Sequence, residues 1–273
     1  MALLPLPRPL MTGEVLDAAF RLFRTALLSC LPYSGVAVLV LQLPTLYSTL
    51  LGGGAEAFVV WRSPVGPLTD AHLVLTCALL LGVLLFGTMT LRLLAVSRGE
   101  RPRFRRELAE AFHRWPSAVV ATLGSLGLPA FLYAFGVVFA GTIPLELLLA
   151  IAVPLLFPTA ILAVALPAFW SDRLGAFAAI LRAMRVSRWQ TWRMIGAMAA
   201  AICLVLIFYV LSTILVAFIL QIAGSADLVL FATVRSLLTL VFGALGVPFV
   251  LAVLVVAYED LKLRYAARRG AIA

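Results

Sequence analysis

Six long stretches of this 273-residue chain contain no Asp, Glu, Lys or Arg. They cover residues 25–55, 71–91, 115–145, 147–171, 194–226 and 236–258 and are between 21 and 33 residues long. A helix needs about 20 apolar residues to cross the hydrocarbon core of a bilayer, and one ionised side chain at its centre costs about 2.5–3.5 kcal/mol. The pattern therefore predicts six transmembrane helices.

The composition excludes the usual classes of water-soluble protein. Hydrophobic residues make up 64% of the chain, charged residues make up 12%, and the mean hydropathy is +1.12. A soluble domain is about 45–50% apolar and about 25% charged. The charge-free stretches are continuous runs rich in Leu, Ala and Val, not the short alternating segments of a membrane β-barrel. The predicted fold class is therefore an all-α integral membrane protein.

The basic residues predict the orientation. With six spans, 19 of the 21 Lys and Arg residues fall on the side that holds both termini, and only Arg62 and Arg235 fall on the other. Because Lys and Arg accumulate in cytoplasmic loops, both termini are expected in the cytoplasm, with the first span acting as an uncleaved anchor. This topology also explains the net charge of +9, and no nucleic-acid partner is expected.

The whole chain is interpreted as one membrane domain, 1–273. Its predicted segments are a cytoplasmic interfacial helix (1–24), spans 1 and 2 (25–96), a second interfacial helix (97–116), spans 3 and 4 (117–170), a third interfacial helix (171–193), spans 5 and 6 (194–257) and a cytoplasmic tail (258–273). One interfacial helix thus precedes each pair of spans. The result is a threefold repeat of architecture with little residue identity between the units.

Each interfacial segment carries apolar residues at helical spacing. The apolar faces are Leu16, Ala19, Phe20, Phe23 and Leu27; Phe104, Leu108, Ala111, Phe112 and Trp115; and Leu174, Phe177, Leu181 and Met184. The candidate lipid- or partner-facing residues on the opposite faces and in the tail are Arg21, Arg24, Arg105, Arg106, Arg182, Arg185, Arg188 and Arg264. Such apolar stripes must be buried, either in the membrane interface beside anionic headgroups or in the groove of a membrane or cytoplasmic protein.

The remaining charges are expected to be solvated. Glu107 and Glu110 are assigned to the wet face of the second interfacial helix, and Asp172 lies at the edge of a charge-free stretch, where an interfacial position is expected. The same holds for Glu146 and Arg235. Acid–arginine pairs four residues apart, which are neighbours on a helix surface, occur at Asp17/Arg21, Glu110/Arg114 and Asp260/Arg264.

No catalytic or metal-binding pattern stands out. The sequence contains no P-loop, HExxH or GxSxG motif. Cys30, Cys77 and Cys203 lie inside charge-free stretches without CxxC spacing, which indicates small buried hydrophobes, not a disulfide or a metal site. The chain is therefore predicted not to be an enzyme and to need no cofactor.

Proline and glycine mark two further features of the spans. Pro154, Pro158 and Pro167 lie within the fourth charge-free stretch, and each removes a backbone donor, so a kinked or broken helix is predicted there. This helix is either a bent structural element or the wall of a substrate cavity. Small residues that let helices approach closely are present at Gly82, Gly87, Gly243 and Gly246.

Three stretches resemble a bacterial family of six-span inner-membrane proteins, the membrane domain associated with glycerophosphoryl diester phosphodiesterases. They are residues 12–24 (TGEVLDAAFRLFR), residues 167–193 with Ala179-Ile180-Leu181-Arg182 and Trp192-Arg193, and residues 258–264 (YEDLKLR). Where the family tends to have Arg-Ser and a tail of the Tyr-Asp-Leu-Arg type, this chain has Arg182-Ala183 and Lys262. The resemblance implies a helical inner-membrane fold with interfacial helices. It does not imply hydrolysis, because the family's catalytic barrel is a separate soluble domain.

Two functions follow as hypotheses. The first is a non-catalytic protein of the bacterial inner membrane, acting as a subunit or scaffold of a membrane complex and presenting its basic helices to anionic lipid headgroups or a partner. The second is a permease or lipid-handling protein with a cavity beside the proline-rich fourth span.

Overall fold

The computed structural model describes residues 8–50, 70–138, 158, 160–188, 190–222 and 228–270. These residues form helices and connecting turns, with no strand among them. The helices are α1 (Thr12–Leu50), α2 (Asp70–Ser97), α3 (Phe104–His113), α4 (Trp115–Val138), α5 (Ala165–Ser171), α6 (Ala176–Ser187), α7 (Thr191–Ile222) and α8 (Leu228–Gly270). The predicted all-helical class is thus confirmed for the described residues.

Four of these helices contain segments that are long and apolar enough to cross a membrane. The segments are Thr12–Gln42, Leu73–Ser97, Thr191–Ile219 and Leu237–Arg268. They correspond to the first, second, fifth and sixth predicted spans. The third span coincides with α4 as far as Val138, but the rest of it and the start of the fourth span, residues 139–157, lie outside the described residues. A multi-pass membrane protein is therefore supported.

Helix α1 joins two segments that the sequence analysis separates. The predicted boundary at residues 24/25, between the first interfacial helix and the first span, lies inside one continuous helix, Thr12–Leu50. No glycine or proline interrupts the chain between Gly13 and Pro32, so nothing in the sequence ends the helix there. One buried seam runs through both segments and consists of Val15, Ala19, Leu22, Ala26, Cys30, Tyr33 and Ala37.

The core is built around α1, which packs against α2 on one side and α8 on the other, while α7 packs against α8. Small residues make these contacts close. A Cβ atom built on Gly243 would lie 2.9 Å from Val38, and one on Gly246 would lie 2.9 Å from Val205. The prediction that glycines allow the helices to approach closely is confirmed at both positions.

The arginine-rich end of the bundle is the end at which α1 and α7 begin and α2, α5 and α8 finish. Long-range contacts bring these termini together: the side chain of Arg98 at the end of α2 donates to the Ser171 carbonyl, and Ser171 donates to Glu259 of α8. The short helices α3 and α6 follow α2 and α5 directly. Most of the buried polar interactions described below belong to this end.

Candidate functional site at the arginine-rich end

A buried ion pair holds α3 against α2. Arg92 and Glu107 are 8% and 7% exposed, and the Arg92 Nε atom donates to Glu107 Oε2 over 2.7 Å. A second guanidinium nitrogen donates to the Ser29 carbonyl of α1 over 2.8 Å, and the guanidinium lies 4.8 Å from the ring centre of Tyr33. Because the remaining Glu107 oxygen accepts from the Arg103 backbone amide, this pair is well satisfied by hydrogen bonds.

The position of Glu107 corrects the assignment of the second interfacial helix. We expected Glu107 on the wet face, opposite an apolar face with Phe104 and Phe112 that the membrane interface or a partner groove would cover. In the structure Glu107 is buried, so its assignment was wrong, while Phe104 and Phe112 are 56% and 63% exposed and remain free to be covered from outside. The sequence pattern could not anticipate Arg92, whose charge compensates the cost of burying a carboxylate.

A second polar cluster joins α5, α6 and α8 through Asp172. The carboxylate accepts from the Tyr258 hydroxyl over 2.6 Å and from Lys262 Nζ over 2.8 Å, and Arg182 of α6 lies 3.8 Å away. The side chain of Asp172 is 19% exposed, so the expectation of a solvated interfacial charge was wrong. Tyr258 and Lys262 of α8 donate the hydrogen bonds that water would donate to a carboxylate at a solvent-exposed helix end.

The same contacts set the ionisation of Asp172. Burial raises the pKa of a carboxyl, but the hydrogen bonds from Lys262 and Tyr258, with the nearby charges of Lys262 and Arg182, outweigh it. The net effect lowers the pKa of Asp172 from its ordinary value. The carboxylate is therefore fully ionised at neutral pH and binds its cationic partners as an anion.

A third cluster attaches the residues before α1 to α8. Asp260 is 3% exposed and accepts from the Leu10 backbone amide over 2.7 Å. Arg264 donates to Asp260 over 3.0 Å, which confirms the predicted pair of residues four apart. Arg264 and Arg193 of α7 also donate to the Leu10 carbonyl. Leu10 is thus held by both of its backbone polar groups.

Arg114 ties the start of α4 to the connection between α5 and α6. It donates to the carbonyls of Phe169 and Leu174, and its guanidinium lies 4.3 Å from the Phe169 ring centre. Burial lowers the pKa of this guanidinium from its ordinary value. The predicted partner of Arg114, Glu110, instead pairs with Arg173 at 3.2 Å.

Between α2, α3 and the end of α5 lies an open cleft of about 400 Å³. Its lining consists of Leu91, Leu94, Ala95, Arg98, Glu100, Arg101, Arg103, Arg106, Glu107, Glu110, Trp170 and Arg173. Five arginines and three glutamates therefore face one concavity. We call it the arginine cleft.

The two faces of helix α6 carry side chains of different size. Its buried face consists of small side chains, Ala176, Ala179, Ala183, Val186 and Ser187. On the opposite side Phe177, Leu181 and Met184 are 75%, 51% and 50% exposed. These three follow one another at helical spacing and form an apolar stripe of which half or more stays exposed.

The eight arginines singled out from the sequence divide into two groups. Arg21, Arg24, Arg105, Arg106, Arg185 and Arg188 are exposed, whereas Arg182 and Arg264 are half-buried. Arg182 lies near Asp172 and Arg264 is paired with Asp260, so both contribute to the fold. Of the exposed group, Arg106 lines the arginine cleft.

The prolines of the fourth predicted span are only partly described. Pro154 lies outside the described residues, Pro158 is half-buried, and Pro167 is buried within α5. The helical path from Ala160 to Ser171 is interrupted by a turn at Val164. The arginine cleft contacts this segment at Trp170, beyond the prolines.

Comparisons with protein-family models, curated proteins and solved structures gave no match for this chain. The relationship to the family that residues 12–24, 167–193 and 258–264 resemble therefore stays a prediction. The site has to be interpreted from its own geometry. Among the described residues no group of three or more His, Cys, Asp or Glu side chains could hold a metal ion.

Sequence reasoning missed the residues that organise this end. Arg92, Glu107 and Lys262 carried no special signal, because their partners are distant in the chain or belong to another helix. One signal was available for Arg92. It lies inside the candidate membrane segment Leu73–Ser97, whereas the next arginines along the chain, Arg98 and Arg101, follow the end of that segment. An arginine within a span requires a partner, and Glu107 is the first acidic residue of the next helix.

Proposed function

We propose that this chain is a non-catalytic, multi-pass protein of the bacterial inner membrane that serves as a subunit or scaffold of a membrane complex. In this proposal the arginine-rich end faces the cytoplasm and rests against anionic lipid headgroups. The support for the orientation is the distribution of Lys and Arg, 19 of which fall on one side.

The observation that carries the proposal is the exposed stripe of α6. Phe177, Leu181 and Met184 expose large apolar side chains that are costly to leave in water, at about 25 cal/mol per Å². Arg185 is exposed on the same helix, and Arg188 is exposed directly after its last residue. A helix with an apolar stripe and adjacent basic residues lies in the plane of the headgroups, where the stripe enters the acyl region and the arginines meet anionic lipid.

Spin labels on α6 test this arrangement. A label at Leu181→Cys would be compared with one at Ala178→Cys, which is exposed on the same helix but off the stripe, in a background with the three native cysteines replaced by alanine. In bilayers containing anionic lipid, we expect the label at 181 to be accessible to oxygen and protected from a water-soluble relaxing agent. The label at 178 is expected to show the reverse preference.

Two outcomes would contradict the lipid interface. If both labels are equally accessible to the aqueous agent, α6 does not enter the membrane. If the label at 181 is immobile and shielded from both agents in native membranes, but not after purification, a protein groove covers the stripe. A separate measurement tests the scaffold role: after gentle solubilisation, a lone monomer with no copurifying protein would argue against it.

A further inference from the structure

The arginine cleft carries an excess of positive charge that the protein itself does not neutralise. Of the three glutamates in its lining, Glu107 is paired with the buried Arg92 and Glu110 with Arg173. Among the described residues, the side chains of Arg98, Arg101, Arg103 and Arg106 have no acidic partner. Within the lining only Glu100 remains to offset these four charges, so the cleft attracts an anion.

The loop that bears Arg101 and Arg103 is anchored at both ends. Gly99 ends α2 with a φ of 74°, and the amides of Gly99 and Glu100 donate to the carbonyls of Val96 and Ala95, which is the arrangement of a Schellman motif. At the other end the Arg103 amide donates to the Glu107 carboxylate over 3.0 Å. The arginine backbones are therefore held in place before any ligand arrives, which lowers the entropic cost of binding.

The cleft lining is apolar along one face of α2 and basic where that helix ends. Leu91, Leu94 and Ala95 follow one face of α2 and end at Arg98, just past the candidate span Leu73–Ser97. Trp170 of α5 also lines the cleft. A ligand that fits this gradient has an anionic group among the arginines and an apolar part that extends along α2 toward the membrane. The volume of the cleft, about 400 Å³, is within the range of small-ligand pockets.

Arginine also favours a particular anion. Its planar guanidinium offers parallel N–H groups that match the oxygens of a phosphate, and such bonds are charge-assisted. We propose that the arginine cleft is a binding site for the phosphate headgroup of an anionic membrane phospholipid. The site deepens the proposed function, since it rests on the arginine-rich end facing anionic headgroups.

Lipid titration of the purified full-length protein tests the site. In an uncharged detergent, binding of dioctanoyl phosphatidylglycerol and dioctanoyl phosphatidic acid would be measured by calorimetry, with dioctanoyl phosphatidylcholine, glycerol 3-phosphate and inorganic phosphate as comparisons. We expect one anionic lipid to bind per protein, at least about tenfold more tightly than phosphatidylcholine or the soluble phosphates. That ratio corresponds to about 1.4 kcal/mol, as expected for a charge-assisted contact.

Two double variants separate the cleft from general surface charge. Arg101→Gln/Arg106→Gln removes two cleft charges, and Arg21→Gln/Arg185→Gln removes two exposed charges outside the cleft, one from α1 and one from α6. We expect the first variant to weaken anionic lipid binding at least about tenfold and the second to leave it within about twofold. Because all four arginines are exposed, both variants should retain the parent's unfolding temperature, and Arg106→Lys provides a charge-retaining comparison with intermediate affinity.

Several results would overturn the proposal. Equal loss in both double variants would indicate unspecific attraction to surface charge, and unchanged binding in the cleft variant would exclude the site. Equal affinity for glycerol 3-phosphate and for the lipids would assign the cleft to a soluble phosphate compound. Because binding is measured in detergent, it does not depend on insertion of α6 into a bilayer, and the two proposals can fail separately.

Discussion

Arg92 of α2 and Glu107 of α3 lie 15 residues apart and form an ion pair of 2.7 Å whose side chains are only 10% and 8% exposed. The pair also engages Ser29 of α1, so three helices meet at one guanidinium. Since α3 carries part of the arginine cleft, the pair positions the candidate site as well as the helix. Its disruption should therefore affect both stability and lipid binding.

We expect Glu107→Gln to destabilise the protein by about 3–5 kcal/mol, because it leaves the buried charge of Arg92 without a counterion. The matched control is Glu110→Gln on the same helix, whose carboxylate is 26% exposed and pairs with Arg173, 67% exposed. That substitution should cost less than about 1 kcal/mol. Unfolding of both variants in mixed micelles with increasing denaturing detergent provides the measurement, and equal costs would contradict a structural role for the Arg92 pair.

Substituting Gly87 with alanine should destabilise the contact between α2 and α5. A Cβ atom at this position would lie 2.4 Å from the ring of Trp170, and a buried aromatic ring has little room to move, so overpacking of about 1–3 kcal/mol is expected. Gly35→Ala in α1 is the control, because nothing lies within 4 Å of the added atom. The two variants would be compared by thermal unfolding, and an unchanged midpoint for Gly87→Ala would show that Trp170 is not packed against α2.

Stability should decrease in acid through Asp172. Because the pKa of this carboxyl is lower in the folded state than its ordinary value of 3.8, its contribution is fully present above about pH 4 and is lost as the pH falls through the folded-state pKa. Asp172→Asn should lower stability at neutral pH and reduce the acid dependence below about pH 4. Tyr258→Phe removes one hydrogen bond from the carboxylate and should move the acid loss to higher pH.

The measurement is the pH dependence of the free energy of unfolding for the parent protein, Asp172→Asn and Tyr258→Phe. Asp17→Asn, an exposed carboxyl of α1, should follow the profile of the parent protein. If Asp172→Asn retains the full acid dependence of the parent, other carboxyl groups account for it.

Asp260→Ala should release the residues before α1. The carboxylate accepts from the Leu10 amide and pairs with Arg264, and a hydrogen bond to a charged group is worth about 1.5–3 kcal/mol. Local opening should then increase amide exchange in residues 10–11 by at least about tenfold. Hydrogen-exchange mass spectrometry measures this change, with Asp17→Ala as the comparison. Unaltered exchange at Leu10 would mean that Arg193 and Arg264 hold it without Asp260.

The predicted interfacial helices show which features the residue pattern predicts and which it does not. For the third one the sequence predicted an apolar stripe that includes Phe177, Leu181 and Met184, and the structure leaves these side chains exposed. It could not predict that the protein contact is made by the other side, through Ala179 and Ala183. Alanine carries a weak hydrophobic signal, yet its small size allows the close packing that selects it for the buried face.

The charged residues show the same difference between what the sequence predicts and what tertiary packing decides. Their exclusion from the long apolar stretches is a property of each segment, because an unpaired charge in hydrocarbon is costly whatever the rest of the chain does. For this reason the helical membrane class followed from the sequence by itself. The pairing of Asp172 with Lys262, 90 residues away, and the assembly of the arginine cleft from α2, α3 and α5 were decided only by the tertiary structure. Such partners are chosen by long-range packing, which leaves no periodic trace along the chain.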